Sequence, residues 1–145
     1  MTTSRTAAAL SPSTGARSLA LLPSADPVPP LRAAGVAFDK VAREWRCKYT
    51  PGPSGGPGDS ESLKACQSLL TEYLPTLKAL PGAEVTRQVC GGCMDFKVSI
   101  VQPLSEHDEW AGADYNPVEE EFITKLKAIE GVSQVETQEI TFVAM

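Results

Sequence analysis

The sharpest chemical pattern in the chain is a pair of cysteines separated by two glycines, Cys90-Gly91-Gly92-Cys93. Two thiols at this spacing can close a disulfide, act as a redox pair, or supply half of a zinc site. They can also be small packing residues beside a turn. A zinc site needs about four ligands, and no second such pair follows in the sequence. No metal is therefore expected, and Cys90 and Cys93 remain candidates for redox chemistry or packing.

Three further side chains that could do chemistry fall between residues 103 and 116, which the sequence predicts to be a long acidic loop. His107 is the only histidine, and we expect it to be solvated because it lies in an acidic loop. The sequence offers no paired motif for a catalytic role. Trp110 and Tyr115 have two interpretations. Exposed loop aromatics can contact a partner, or they can fold back onto the domain.

The strand that positions the cysteine pair runs from Asp95 to Gln102, where Phe96, Val98 and Ile100 alternate with polar residues. This two-residue period predicts a half-buried strand. A second strand is predicted from Ala83 to Val89. The Gly91-Gly92 pair is typical of a two-residue hairpin loop with positive φ angles.

The remaining pattern predicts a strand, a helix, a second helix and a final strand. Trp45, Cys47 and Tyr49 share one face of the first strand. The first helix is predicted to be capped by Asp59 or Ser60 and to kink or restart at Pro75.

The second helix is predicted to begin at Asn116, with Glu119 completing a capping box. Glu119, Glu120 and Glu121 are interpreted as the start and the solvated face of that helix. The last strand is predicted from Ser133 to Val143, with a bulge near Gln138.

This order predicts an α+β fold, the ferredoxin-like β-α-β-β-α-β plait with a four-stranded antiparallel sheet and two helices on one face. The folded domain is expected over residues 41–145. Residues 1–40 are rich in Ser, Thr, Ala and Pro, which is typical of either a disordered leader or a transit peptide. The predicted location is therefore the cytoplasm or, with a transit peptide, an organelle.

Composition excludes some function classes. The net charge of −5 argues against direct nucleic-acid binding, which needs a basic surface. No apolar run approaches the ~20 residues of a membrane span. No phosphate-binding loop is present, and no cofactor is expected.

Two segments resemble the guanine-nucleotide-exchange domain of the elongation factor 1-beta family. The sequence that carries most of this resemblance is Asn116-Pro117-Val118-Glu119-Glu120-Glu121 followed by Lys127-Ala128-Ile129-Glu130-Gly131-Val132-Ser133-Gln134-Val135-Glu136. Upstream, Val89-Cys90-Gly91-Gly92-Cys93 falls where the family has a turn before an apolar strand. The resemblance covers about residues 43–145.

The resemblance implies a partner, the GTPase elongation factor 1-alpha, and release of its bound GDP by protein–protein contact without covalent catalysis. The contacts it implies come from the ends of the domain, where a C-terminal lysine of eukaryotic members is replaced by Ala144. The candidate contact residues are Gly91, Gly92, Met94, Trp110, Ala144 and Met145. Two other functions stay open, a small Cys-x-x-Cys redox module and a non-enzymatic interaction subunit.

Overall fold

The computed structural model describes residues 34–143. The predicted leader therefore lies almost entirely outside the described residues, as do Ala144 and Met145. All of the described helices and strands belong to the unit of the chain that begins at Ala37.

Within the described residues the elements follow the predicted order, with one additional helix. They are β1 (Lys40–Lys48), α1 (Glu61–Lys78), β2 (Glu84–Cys90), β3 (Asp95–Pro103), α2 (Leu104–Gly112), α3 (Val118–Lys127) and β4 (Ser133–Phe142). The strands form one sheet in the order β2-β3-β1-β4, and each neighbouring pair is antiparallel. The predicted plait is confirmed.

One face of the sheet carries the core. Alternate residues of β1 reach all three helices: Cys47 lies against Cys66 of α1, and Trp45 lies against Trp110 of α2 and Phe122 of α3. The Trp45 and Phe122 rings stack with centroids 4.6 Å apart. Because these contacts come from one side of one strand, the three helices cover the same face of the sheet.

Helix α1 begins where its capping residue predicts. The N–H of Leu63 donates to Oγ of Ser60 over 3.1 Å, which satisfies a free donor in the first turn. The predicted restart at Pro75 is wrong, because α1 continues to Lys78; the alternative, a kink at Pro75, stays a prediction. The neighbouring side chains of Tyr73 and Leu77 are buried, and their packing offsets the hydrogen bond that Pro75 cannot make.

The β2–β3 hairpin is wider than predicted. Cys90 pairs with Asp95, so the loop contains four residues and not two. The positive φ angle is found at Met94, at 58°, and neither Gly91 nor Gly92 has one. The prediction of a two-residue glycine turn is therefore wrong.

Residues predicted to form the long loop contain helix α2. Its N-terminal N–H, from Leu104, donates to the carbonyl of Asp39 over 3.2 Å. His107 and Trp110 are its two buried residues, three positions apart and so on the same face. The periodic pattern missed this helix because it is short and one of its two inward residues is a histidine.

The irregularity in β4 lies earlier than predicted. Arg46 pairs with Glu136, whereas Lys48 pairs with Ser133, so the extra residue lies between Ser133 and Glu136. Gln134 there has a φ of 51°. Gln138, the predicted bulge, is in register with Glu44. The odd position of Thr137 and the even position of Ile140 predicted the bulge, but these residues lie on opposite faces of one regular strand.

The turn after α3 gives a testable stability difference at Gly131. Its φ is +94°, and an added Cβ would lie 3.0 Å from both Cβ of Ser62 and Oγ1 of Thr50. Gly131→Ala should lower the unfolding free energy by at least about 1–2 kcal/mol, the usual cost of a left-handed residue with a side chain. Gly112→Ala, which meets nothing within 4 Å, is the control. Equal midpoints in urea for the two variants would contradict the prediction.

Candidate functional site

A polar cluster lies between the helix-covered face of the sheet and helices α2 and α3. We call it the His107 cluster, and its members are Arg43, His107, Tyr115, Glu119 and Glu139. Arg43 and Glu139 are partners across β1 and β4. The other three come from α2, from the turn after it, and from α3. The fold thus brings together residues separated by almost 100 positions in sequence.

Arg43 and Glu119 form a two-point ion pair inside the cluster. Nε and Nη2 of Arg43 donate to the two carboxylate oxygens of Glu119 over 2.7 and 3.0 Å. Nε1 of Trp45 donates to the same carboxylate over 2.7 Å. Burial by itself lowers the pKa of Arg43, but the hydrogen bond and charge of Glu119 outweigh it and the pKa is raised. The guanidinium is therefore a fixed positive charge.

A second group of hydrogen bonds joins Glu139, Tyr115 and His107. The hydroxyl of Tyr115 donates to Oε2 of Glu139 over 2.5 Å, and Nε2 of His107 lies 3.0 Å from that oxygen. Burial, and next the bond to Glu139, raise the pKa of Tyr115 well above its usual value. The phenol therefore stays protonated and acts as a donor.

These partners decide which ring nitrogen of His107 carries hydrogen. A carboxylate only accepts hydrogen bonds, and a phenol has a single O–H. Because the O–H of Tyr115 is used on Glu139, Nε2 of His107 must be the donor to that carboxylate. His107 is 1% exposed, and its other nitrogen, Nδ1, is buried and has no hydrogen-bond partner.

A second buried acceptor lies at the same end of the sheet. Oε1 of Gln102 has no hydrogen-bond partner. Gln102 pairs with Val41, one helix-facing row away from Arg43. Buried polar atoms without partners are uncommon in folded proteins and are often found where a ligand or water binds. Nδ1 of His107 and Oε1 of Gln102 are therefore two buried acceptors without a hydrogen bond at this end of the sheet.

Aromatic rings enclose the cluster. The Tyr115 ring lies edge-on to Trp110 with centroids 5.0 Å apart, and the guanidinium carbon of Arg43 lies 3.9 Å from its centroid. Tyr115 and Asp114 both have positive φ, 58° and 57°, a conformation that costs energy in residues with side chains. The packing of the Tyr115 ring between Arg43 and Trp110 holds this turn in place.

The predicted redox pair lies at the opposite end of the sheet, beside the last residue of β1. Cys90 and Cys93 are joined in a disulfide with Cα atoms 5.5 Å apart. Nζ of Lys48 donates to the carbonyl of Cys93, and the hydroxyl of Tyr49 donates to that of Cys90, each over 2.9 Å. The hairpin tip is thus anchored to the end of β1, five residues along the strand from Arg43.

Several predicted roles change once the side chains are placed. Trp110 is 6% exposed, so the predicted partner contact is wrong and the alternative, folding back onto the domain, is correct. His107 is buried and not solvated. Glu119 does not complete a capping box, because α3 has no side-chain cap and this carboxylate binds Arg43. Gly91, Gly92 and Met94 lie in the hairpin tip, and Ala144 and Met145 lie outside the described residues.

Sequence reasoning did not identify Arg43 or Glu139 as site residues. A signal was available for Arg43, a charged residue that shares the inward parity of Trp45. A charge in such a position needs a partner within the core. Glu139 gave no such signal, because β4 carries polar residues on both faces.

No group of three or more His, Cys, Asp and Glu side chains among the described residues could hold a metal ion. None of the described helices is long and apolar enough to cross a membrane.

No family model matches the chain, and no curated protein matches it at a significant level. Among solved structures, a single-residue mutant of SnoaB, a cofactor-independent oxygenase from Streptomyces nogalater, is similar. The two share 17% identity with a TM-score of 0.51, over 74% of this chain and 96% of that chain. A second SnoaB structure has the same identity and coverage with a TM-score of 0.49.

This comparison corrects the predicted function. Guanine-nucleotide exchange on elongation factor 1-alpha, and with it a role in protein biosynthesis, is wrong, because a solved structure that shares this fold is an oxygenase. The redox-module and interaction-subunit alternatives are set aside with it. Membership of the elongation factor 1-beta family stays a prediction, since no family model matches.

Proposed function

We propose, starting from the fold that the chain shares with SnoaB, that it is an enzyme that oxidises an aromatic substrate with O2 at the His107 cluster. Similarity of fold supports the architecture only. The observation that carries the proposal is the buried His107, whose Nδ1 has no partner while Nε2 is held by Glu139. A buried imidazole with one nitrogen oriented and the other free is suited to proton transfer.

Oxygenation without a cofactor places a requirement on the substrate. Ground-state O2 reacts slowly with closed-shell organic molecules, and most enzymes use a metal or flavin for this step. Without one, the substrate itself must supply the electrons, which it does most easily as a delocalised anion. The reaction therefore needs a base, and the substrate is expected to be a conjugated aromatic compound with an acidic C–H or O–H.

The surroundings of His107 fit such a compound. Trp110 and Tyr115 pack edge-on against each other beside His107, and their rings would pack against a planar substrate that replaced part of this contact. The free acceptor of Gln102 could receive a hydrogen bond from a substrate hydroxyl. These are the contacts expected in a site for a flat, partly polar ligand.

Anthrone is a suitable probe, since loss of a proton from its CH2 group gives an aromatic anion. Its oxidation consumes one O2, converts the CH2 group to a carbonyl and releases one water. We expect the full chain, with no added cofactor, to accelerate O2 uptake by at least about 100-fold, the contribution typical of one positioned base. An oxygen electrode and the absorbance of anthraquinone measure this rate.

The matched control is the double variant Cys90→Ser with Cys93→Ser, which removes the disulfide at the hairpin tip and leaves the His107 cluster unchanged. Its rate should equal that of the unmodified chain. Oxygen uptake no faster than with heat-denatured protein would reject the proposed function.

A further inference from the structure

We propose that Cys47 and Cys66 form an oxidative modification site, at which a hydroperoxide joins the two buried thiols in a disulfide between β1 and α1. These are the two free cysteines of the chain, and they are distinct from the pair at the hairpin tip, which is already closed. Neither belongs to the His107 cluster, so the site is independent of the proposed function.

The two sulfur atoms are already in contact. Sγ of Cys47 lies 3.9 Å from Sγ of Cys66, whereas the sulfurs of a disulfide are about 2.05 Å apart. Rotation about the Cα–Cβ bonds of the two residues can supply the remaining approach of about 2 Å. No other thiol competes, since the other two cysteines are bonded to each other.

Hydrogen bonds hold together the two elements that carry the pair. Thr50, just after β1, donates its N–H to Oγ of Ser62 over 2.9 Å. The carbonyl of Thr50 accepts a hydrogen bond from Oγ of Ser60, the capping residue of α1. The start of α1 is thus tied to the end of β1, and Cys66 lies in the second turn of that helix. The fold therefore brings the thiols together before any bond forms between the sulfurs.

The hydrogen bond between the thiols decides which sulfur reacts first. It lowers the pKa of Cys66 and, together with burial, raises the pKa of Cys47. Cys47 is therefore the donor, and Cys66 loses its proton more easily. Because the thiolate and not the thiol is the nucleophile, we expect Cys66 to attack the oxidant and Cys47 to close the disulfide.

The reaction takes two balanced steps. The Cys66 thiolate attacks the terminal oxygen of the hydroperoxide, an S–O bond forms, and the O–O bond breaks. The electron pair of that bond leaves with the other oxygen, which takes up a proton and departs as water or an alcohol. Cys47 then attacks the sulfenic acid at Cys66. An S–S bond forms, the S–O bond breaks, and its oxygen leaves as water with the proton of Cys47. Two thiols are oxidised, and one peroxide is reduced.

Burial selects the oxidant and protects the product. Cys47 is 2% exposed and Cys66 is 0% exposed, so only a molecule near the size of water reaches them through brief local openings of the core. Hydrogen peroxide meets this condition, and a folded thiol–disulfide enzyme does not. Cys90 and Cys93, by contrast, are exposed and open to thiol exchange. We therefore expect the Cys47–Cys66 bond to persist in reducing agents that open the hairpin tip.

The disulfide would lock α1 to the sheet. It closes a loop over residues 47–66, which includes the Gly- and Pro-rich run at residues 51–58. A disulfide across such a loop removes conformations from the unfolded chain and so stabilises the folded one. Exposure to peroxide would therefore make the chain more resistant to unfolding.

The double variant Cys90→Ser with Cys93→Ser isolates the pair, because it leaves Cys47 and Cys66 as the remaining cysteines. Hydrogen peroxide should remove both free thiols from the folded variant, as counted with a maleimide in urea. In a tryptic digest, mass spectrometry should find residues 47–48 joined to residues 65–78. Two free thiols after treatment, or cysteines oxidised to sulfinic acid without the crosslink, would overturn the proposal.

The crosslink should raise the urea midpoint of this double variant by about 1 M or more, measured by tryptophan fluorescence after the peroxide is removed. Cys47→Ser in the same background is the matched control, because it keeps Cys66 but cannot close the bond. A second control needs no substitution in the core: the crosslinked variant, reduced in urea and refolded, should return to its original midpoint. A midpoint that crosslinking does not raise, or that peroxide raises equally in Cys47→Ser, would overturn the proposal.

The unmodified chain tests the pairing itself, since four cysteines allow three pairings. After reduction in urea and refolding, peroxide should give only Cys47–Cys66 and Cys90–Cys93, whereas oxidation in urea should give all three pairings. In dilute dithiothreitol the folded chain should then open Cys90–Cys93 first. A folded chain that bonds Cys47 or Cys66 to the hairpin tip, or that opens both disulfides equally fast, would overturn the proposal.

Discussion

Glu119→Ala is expected to destabilise the fold by about 3–5 kcal/mol, the cost typical of removing one partner of a buried ion pair. Glu119 accepts hydrogen bonds from Arg43 and from Nε1 of Trp45. The Arg43 side chain is 12% exposed, so the variant would leave a charge with little access to water. The indole N–H of the fully buried Trp45 would lose its acceptor as well.

Glu120→Ala is the matched control. Glu120 belongs to the same acidic first turn of α3 but is exposed, so the change should stay within about 0.5 kcal/mol. Urea unfolding followed by tryptophan fluorescence measures both. If Glu119→Ala unfolds at the same urea concentration as Glu120→Ala, the Arg43–Glu119 pair contributes nothing to stability and the His107 cluster is not held as described.

Tyr115→Phe should alter how stability depends on alkaline pH. The pKa of Tyr115 is raised by burial and by its bond to Glu139, so the unfolded chain releases this proton first, above about pH 10. Because the unfolded state then binds fewer protons, the unfolding free energy falls as the pH rises. The phenylalanine variant lacks this contribution.

Two opposite effects follow from the same hydroxyl. At pH 7, Tyr115→Phe should be less stable by about 1–3 kcal/mol, because it loses a hydrogen bond to a charged group. Above pH 10 the difference should shrink by about 1.4 kcal/mol per pH unit, the value for one proton. Urea unfolding from pH 7 to 11 measures it. A difference that stays constant over this range would mean that Tyr115 is not held protonated by the folded structure.

Sequence and structure agree best where apolar and polar residues alternate over a long run. The alternation around Phe96 and Val98 predicted a central strand, and β3 contains both residues fully buried. The pattern was less informative for α2, where two inward positions within nine residues do not establish a helical period. The same difficulty produced the mistaken bulge at Gln138, since a strand with polar residues on both faces gives no clear parity.

Turn geometry and capping were predicted less well because local rules compete with tertiary contacts. Asn116 and Glu119 have the spacing of a capping box, yet the carboxylate of Glu119 binds Arg43 across 76 positions of sequence. A local hydrogen bond to an exposed N–H is weak compared with neutralising a buried charge. The tertiary contact therefore determined the conformation of that side chain.

The amino-acid sequence by itself determined the α+β plait, the inward faces of β1 and β3, and a cap for α1 at Asp59 or Ser60. Those features depend on neighbouring residues and on the burial of apolar side chains, and both can be seen in the order of residue types. Only the tertiary structure decided that Arg43, His107, Tyr115, Glu119 and Glu139 meet in one place. A buried charge is stable only with a partner, and that partner is chosen by strand register and helix packing, which place distant residues within 3 Å of each other.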